Sequence, residues 1–330
     1  MLRVCFIGSA GHYPYALNGL RGRTDAKAVA VAPGCDGEDI SAVVTRLESI
    51  GQTAKVYKDY REMLDQEKAD VAVINTYFAL NSNIAVKALN RGMHVFVEKP
   101  VATTLRGLDE VREALDKSGT KLAAMLGLRY TRHFYTAWKA VQDGAVGEVR
   151  LMTAQKSYRL GERGPHYRNR EIYGGTIPWV GSHAIDWLYW FGGKKFVSVM
   201  ASHSAMHNRG HGDLEVTAIC HFTFEDEVLG AVNIDYLRPS TAPSHDDDRL
   251  RVAGTSGVIE VRSGKVYLIS ETRSGIQELA LLDPGTLFGD LLDEIQGRGQ
   301  CMVSAEDSLY VTEACLRARD SADTGKIVTF

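Results

Sequence analysis

The residues most able to do chemistry in this chain are a lysine and a histidine. Lys99 stands in the tripeptide Glu98-Lys99-Pro100, directly after the apolar run His94-Val95-Phe96-Val97. An ammonium group at the end of a buried strand can stabilise an oxygen that gains negative charge during a reaction. In a partly dry crevice beside another cation its pKa should fall, so that it could also shuttle a proton. His183 lies in the segment Gly174-Gly175-Thr176-Ile177-Pro178-Trp179-Val180-Gly181-Ser182-His183-Ala184-Ile185-Asp186. Imidazole is suited to accept a proton near neutral pH. Asp186 follows one helical turn later, so the two also read as a packed polar pair in which the aspartate orients the histidine. Spacing alone favours that packed pair.

Three other clusters stand out. Residues 159–171 carry Arg159, Arg163, His166, Tyr167, Arg168 and Arg170, with Gly161 and Gly164 among them. So polar and glycine-broken a stretch is a loop. Its guanidinium groups would suit an anionic or heavily hydroxylated ligand; a solvated loop or a subunit contact explains them slightly better. Tyr130, Tyr173 and Trp179 could floor a sugar ring, or could simply pack. His203, His207 and His211 recur every fourth residue, which on a helix would align three zinc ligands. However, 197–203 reads as a strand and 208–210 as a loop, so no metal site is expected.

The elements that must position these groups alternate. Strands are expected at 3–7, 28–32, 70–75, 94–97 and 121–126. Helical patterns separate them, at about 13–20, 38–51, 81–91 and 104–118, the last capped by Thr103 or Thr104. This order implies a doubly wound parallel sheet. In such a sheet Lys99, at a strand's carboxyl end, points into the ligand crevice. Beyond 126 the pattern changes. After a helix at 131–143, strands at 216–224, 228–236, 249–253, 258–261 and 266–269 alternate apolar and polar residues, the pattern of an antiparallel sheet covered on one face. Helices at 286–296 and 305–321 close the chain. The expectation is an α/β chain of two domains, 1–126 and 127–330, the second α+β around a large, mostly antiparallel open sheet.

The first strand runs into Gly8-Ser9-Ala10-Gly11-His12-Tyr13. A dinucleotide turn uses three glycines, for a tight turn, close approach to pyrophosphate and helix packing. Only the first is in place; Ala10 and Tyr13 hold the other two positions. Backbone amides at the helix start could still hold a phosphate, and a plain strand–helix turn reads equally well. The acid that would grip the adenosine ribose is missing from the end of the second strand, Val31-Ala32-Pro33-Gly34, and none appears before Asp36. Arg21 and Arg23 precede that strand, and NAD and NADP both stay open.

Length and composition set the bounds. At 330 residues the chain exceeds one ordinary core. A net charge of −3 removes any global attraction to nucleic acid or anionic membrane, and neither partner is expected. No apolar run approaches spanning length. Five cysteines without metal or redox spacing read as reduced thiols of a cytoplasmic protein. The apolar start breaks at Gly8 and reads as a strand rather than a signal peptide.

Taken together, residues 8–11, Glu98-Lys99-Pro100 and residues 174–186 resemble the Gfo/Idh/MocA oxidoreductase family. Residues 56–60, 144–149, 252–261 and 291–295 extend the likeness over essentially the whole chain. The resemblance implies a Rossmann domain and a second domain whose open sheet face forms a homodimer or homotetramer. It implies hydride transfer between NAD or NADP and a sugar, cyclitol or related polyol. Lys99 would lie beside the nicotinamide and hydrogen-bond the reacting oxygen, with His183 handling the proton. Cofactor contacts would come from Gly8, Ser9, Ala10, Gly11, His12, Thr76, Tyr77, Asn81 and Glu98. Tyr77 replaces the proline of the family's Thr-Pro turn, and Asn81 stands where a histidine often appears. Tyr130, His166, Tyr173, Trp179 and His183 would face substrate. One departure matters most: where the family carries an aspartate four residues before the histidine, this chain has Trp179, and an indole cannot relay a proton. Two other readings therefore accompany the dehydrogenase. One is glycoside hydrolysis through transient oxidation, elimination and re-reduction on held NAD. The other is a non-enzymatic sensor of NAD(P) or sugar.

Overall fold

The structure, a computed structural model, describes residues 1–330. It divides into two compact units, Met1–Gly127 with Gly285–Thr312, and Leu128–Pro284 with Glu313–Phe330. Residues 285–312 thus pack with the first unit, although they fall inside the 127–330 stretch expected to form the second domain.

The first unit holds six parallel strands: β1 (Leu2–Ile7), β2 (Ala26–Ala32), β3 (Lys55–Val56), β4 (Val71–Ile74), β5 (His94–Val97) and β6 (Leu122–Ala124). Their order is β3-β2-β1-β4-β5-β6, the doubly wound arrangement whose direction reverses between β1 and β4. β4 is buried along its whole length and β5 along all but its first residue, as expected of parallel strands covered on both faces. The connecting helices are α1 (Pro14–Leu20), α2 (Ser41–Ser49), α3 (Tyr60–Gln66), α4 (Phe78–Leu89) and α5 (Leu105–Ser118). Thr104 caps α5 by accepting from the Gly107 amide at 3.0 Å, and Asp59 caps α3 through the Arg61 amide at 2.7 Å. Such caps are each worth about 1 kcal/mol.

The second unit begins its regular structure with α6 (Arg132–Gln142). Its strands are β7 (Val149–Ser157), β8 (Phe196–Ser204), β9 (Thr217–Phe224), β10 (Leu229–Asp235), β11 (Arg249–Gly254), β12 (Gly257–Arg262), β13 (Lys265–Ser270), β14 (Arg273–Glu278) and β15 (Val328–Thr329). They form one sheet in the order β14-β13-β12-β11-β7-β10-β9-β8-β15. Only β7 and β10 pair in parallel; the other pairings are antiparallel. On β9 the residues Ala218, Cys220, Phe222 and Phe224 are buried while Ile219 and His221 are exposed, the alternation read from the sequence. The central strand β7 and the edge strand β14 were not foreseen. The helices α7 (Arg170–Tyr173) and α8 (Ser182–Gly192) lie between β7 and β8. α8 packs on β7 and β10, and α6 on β12 and β13. A stack of Phe134 on Trp187, 3.9 Å between centroids, joins α6 to α8. Later come α9 (Leu287–Ile295), which packs on α1 in the first unit, and α10 (Ala305–Thr324).

Candidate active site

Sheet register brings the first unit's chemistry to one rim. Ile7 is level with Ile74, and Ile74 with Val97, so Gly8, Asn75 and Glu98 emerge side by side at the carboxyl ends of their strands. Gly8 has φ +82°, and a Cβ there would lie 2.3 Å from the Asn75 carbonyl oxygen. Only glycine suits this turn. Glu98 is wholly buried. Its carboxylate accepts from the His12 amide at 2.5 Å and lies 3.0 Å from His12 Nδ1. Burial pushes the Glu98 carboxyl up, but the His12 ring and amide and the Lys99 charge outweigh it, leaving the group below its ordinary value. The same carboxylate fills the space a Cβ at Gly11 would need.

Lys99 is 3% exposed at the exit of β5. Its backbone is braced on both sides by Asn81 on α4, whose amide nitrogen donates to the Glu98 carbonyl at 2.9 Å and the Pro100 carbonyl at 3.0 Å. Asn81, expected among the cofactor contacts, thus holds the lysine tripeptide. Thr76 is buried at the exit of β4, with Tyr77 partly exposed beside it. In the glycine turn, the Ser9 amide donates to Glu38 at 2.9 Å and the Ala10 amide to the Asn75 carbonyl at 2.8 Å. With His12 on Glu98, three amides of the expected phosphate turn are engaged by the protein itself. Arg23 pairs with Asp25 and Asp293 rather than facing the turn.

The second unit carries the other named residues. A π-helical turn, Ile177–Gly181, leads into α8 and buries Trp179 and Val180. His183 sits in the first turn of α8 and is 3% exposed. Trp179 stacks on Tyr167 with centroids 4.2 Å apart and meets Tyr173 edge-on at 6.1 Å and Tyr236 at 6.0 Å. The Arg163 guanidinium lies 5.4 Å from the Trp179 ring and 5.0 Å from the Tyr236 ring. The 159–171 loop therefore packs an arginine and an aromatic ring against Trp179. His166 lies against Tyr167 at 4.0 Å, and burial lowers its pKa.

Two of the named residues have partners of their own within the second unit. Asp186, read as an orienter of His183 or a structural partner, is gripped by Arg129 through contacts of 2.5–3.1 Å, both side chains buried. Tyr173, proposed as part of a ligand floor, is fully buried; its hydroxyl donates to Glu215 and to the Asp213 carbonyl. Tyr130 ends a short 3₁₀ turn, Gly127–Tyr130, and is partly exposed. His203 on β8 lies 3.2 Å from Asp323, while His211 bonds the Asn208 carbonyl in a separate turn.

The family model described as "Oxidoreductase family, NAD-binding Rossmann fold" matches residues 2–145, and that described as "GFO/IDH/MocA C-terminal domain" matches residues 134–260. A protein of Thermotoga maritima, solved as a candidate oxidoreductase, is 51% identical over 100% of both chains, with a TM-score of 0.96. The chain belongs to the Gfo/Idh/MocA oxidoreductase family. Among curated relatives, the uncharacterized oxidoreductase YrbE of Bacillus subtilis is 26% identical over 212 residues, 62% of this chain and 59% of that protein. Inositol 2-dehydrogenase of Salmonella typhimurium is 26% identical over 154 residues, 46% of this chain and 44% of that protein. The chain thus spans roughly half the length of these curated relatives.

As a Gfo/Idh/MocA protein, the chain carries an NAD-binding Rossmann domain, and the first unit's residues suit a dinucleotide. The sheet reverses at the β1/β4 crevice, Gly8 keeps the turn tight, a carboxylate stands near the end of β2, and a buried lysine stands at the end of β5. Sequence reasoning missed Glu38, Tyr236 and the buried pair Lys156–Asp248. Burial lowers the Lys156 pKa and raises that of Asp248. A lysine at position 156, on the buried face of β7, is out of pattern, and that was the one available signal. Nothing in the spacing marks Glu38.

Proposed function

We propose that the protein is an NAD(P)-dependent dehydrogenase acting on a CH–OH group of a sugar, cyclitol or related polyol. The observation that carries this reading is Lys99, buried at the carboxyl end of β5 in a Rossmann sheet and braced by Asn81. A bound nicotinamide supplies or accepts the hydride. Lys99 donates a hydrogen bond to the substrate oxygen and stabilises it as it becomes alkoxide-like. His183 takes the hydroxyl proton, acting without an acid four residues earlier because Trp179 fills that place. With Trp179 buried between Tyr167 and Arg163, the Arg163 guanidinium is the group of this cluster suited to a hydroxylated ligand. The inositol dehydrogenase relative supports a cyclitol-like substrate.

The test follows absorbance of reduced cofactor over a panel of polyols. Lys99→Ala is expected to lose about 10²-fold or more in kcat while still binding nucleotide. Near-normal turnover in that variant removes Lys99 from the mechanism.

The unit that carries His183 is also proposed to assemble with a second copy. Leu151 on β7, Met200 on β8, Ile219 on β9 and Leu229 on β10 are exposed large apolar residues on the sheet face opposite the buried one. Large apolar residues exposed on one face of neighbouring strands mark a protein-binding surface. Ile219→Glu is expected to turn a dimer or tetramer into monomers by light scattering; a wild-type chain that elutes as a monomer ends this part of the reading. No helix is long and apolar enough to cross a membrane. With all five cysteines free, we place the protein in the cytoplasm.

A further inference from the structure

We propose that Glu38 receives the adenosine ribose and makes the first unit select NAD over NADP. The inference rests on the cofactor reading above and names the specificity of that site. In a Rossmann sheet a carboxylate near the end of the second strand hydrogen-bonds the ribose 2′-hydroxyl, whereas an arginine there accommodates a 2′-phosphate. The strand end itself offers no such group in this chain. Position 34 is closed to any side chain, because a Cβ on Gly34 would lie 2.4 Å from Thr76 Oγ1.

Glu38 fills that role from the loop between β2 and α2. Its Oε2 accepts from the Gly34 amide at 2.7 Å and from Thr76 Oγ1 at 3.2 Å, and its Oε1 accepts from the Ser9 amide at 2.9 Å. The three donors come from the ends of β2, β4 and β1, the segments that border the sheet's reversal point. Backbone amides on both oxygens fix the carboxylate in place. Its oxygens offer about four acceptor sites, so these three bonds leave capacity for a sugar hydroxyl.

Charge decides between the two cofactors. A 2′-phosphate would bring a charge of about −1.5 to −2 toward a fixed carboxylate, and like charges at short range are the usual device for rejecting a ligand. The neighbouring cavity of about 250 Å³ is lined by Pro33, Gly34 and Cys35 and by four charged groups, Asp36, Lys58, Asp59 and Arg61. Its two cations are matched by two carboxylates, and Arg61 bonds Asp59 at 3.2 Å. Arg23 is spent on Asp25 and Asp293. Glu38 itself is met by two amides and a hydroxyl and by no cation at ion-pair distance.

Calorimetric titration of the full chain tests this without reference to turnover. Wild-type protein is expected to bind NAD⁺ at least tenfold more tightly than NADP⁺. It should likewise prefer adenosine 5′-monophosphate to adenosine 2′,5′-bisphosphate, a comparison that needs no variant. Glu38→Gln keeps the shape and removes the charge, and should bring the NAD⁺/NADP⁺ ratio several-fold closer to one. Equal or tighter binding of NADP⁺ by wild type overturns the proposal, as does an unchanged ratio in a folded Glu38→Gln protein. Binding of neither dinucleotide overturns both this inference and the proposed function. An unchanged ratio alongside a Lys99→Ala protein that binds NAD⁺ but has lost turnover overturns only the role of Glu38.

Discussion

Replacing Asn81 by alanine separates two roles that the sequence left merged. If Asn81 held the cofactor, its loss would weaken nucleotide binding. The structure instead gives its amide nitrogen to the carbonyls of Glu98 and Pro100, at 2.9 and 3.0 Å, on either side of Lys99. Asn81 is completely buried, so Asn81→Ala leaves two carbonyls without their donor. A buried polar group deprived of its partner costs about 1–3 kcal/mol; allowing for one relaxation, the pair should cost roughly 3 kcal/mol. For a unit of this size that corresponds to a fall in Tm of about 6–12 °C. The lysine loses its brace at the same time. A shift of about 1 Å in a catalytic group can cost 10²-fold in rate, so kcat should fall between 10- and 100-fold. The affinity for NAD⁺ should stay within about twofold, since no contact with the nucleotide is removed. Differential scanning fluorimetry, steady-state kinetics and calorimetry measure the three quantities. A variant that keeps its Tm and kcat but loses nucleotide affinity would refute the brace and return Asn81 to the cofactor.

Two other perturbations test the packing behind each unit. Arg129→Met strands the Asp186 carboxylate in the interior, because both partners are at most 2% exposed; breaking such a pair costs about 3–5 kcal/mol, read by urea denaturation, and a loss under 1 kcal/mol would show that the aspartate is held by other means. In the first unit, hydrogen bonds from Arg23, reinforced by Arg298, hold the Asp25 and Asp293 carboxyls below their ordinary values. With folded pKa values depressed, this stabilisation is complete above the unfolded pKa of about 4 and drains as the pH falls further. The Tm of Asp25→Asn should therefore vary less than that of wild type between pH 4 and pH 2, and parallel curves would contradict the linkage.

Much of the fold was legible because its signals are local. Alternating strands and helices through residue 126, the Thr104 cap and the two-residue period of β9 all follow from side chains near one another in sequence. β7 escaped notice although it lies at the centre of the second sheet. Its apolar pattern is interrupted at Lys156, a charge on the buried face of the strand that pairs with Asp248, far along the chain. The site was legible to the extent that a short motif carried it. Lys99, Glu98 and Gly8 occupy the rim their motif implies. Asp186 and Asn81 were assigned by spacing and by position, and the partners the structure gives them, Arg129 and the Glu98 and Pro100 carbonyls, lie far along the chain. No rule based on neighbours in sequence contains that information.

The two carboxylates missing from this chain are missing for different physical reasons. Just past β2, at position 34, Thr76 closes the space a side chain would need, while the amides that would orient an acid remain. A glutamate four residues on reaches those amides, so the charge persists although the motif does not. At position 179 the place is taken. An indole of this size, stacked on Tyr167 and covered by Arg163, leaves no polar cradle for a substitute carboxylate, and apolar packing there is worth several kcal/mol. Under the proposed function, the first departure would leave the cofactor contact in place under a changed sequence, and the second would alter the proton's route, because no acid stands four residues before His183. As sequence motifs the two departures look like equivalent losses; the packing around each gives them different expected consequences.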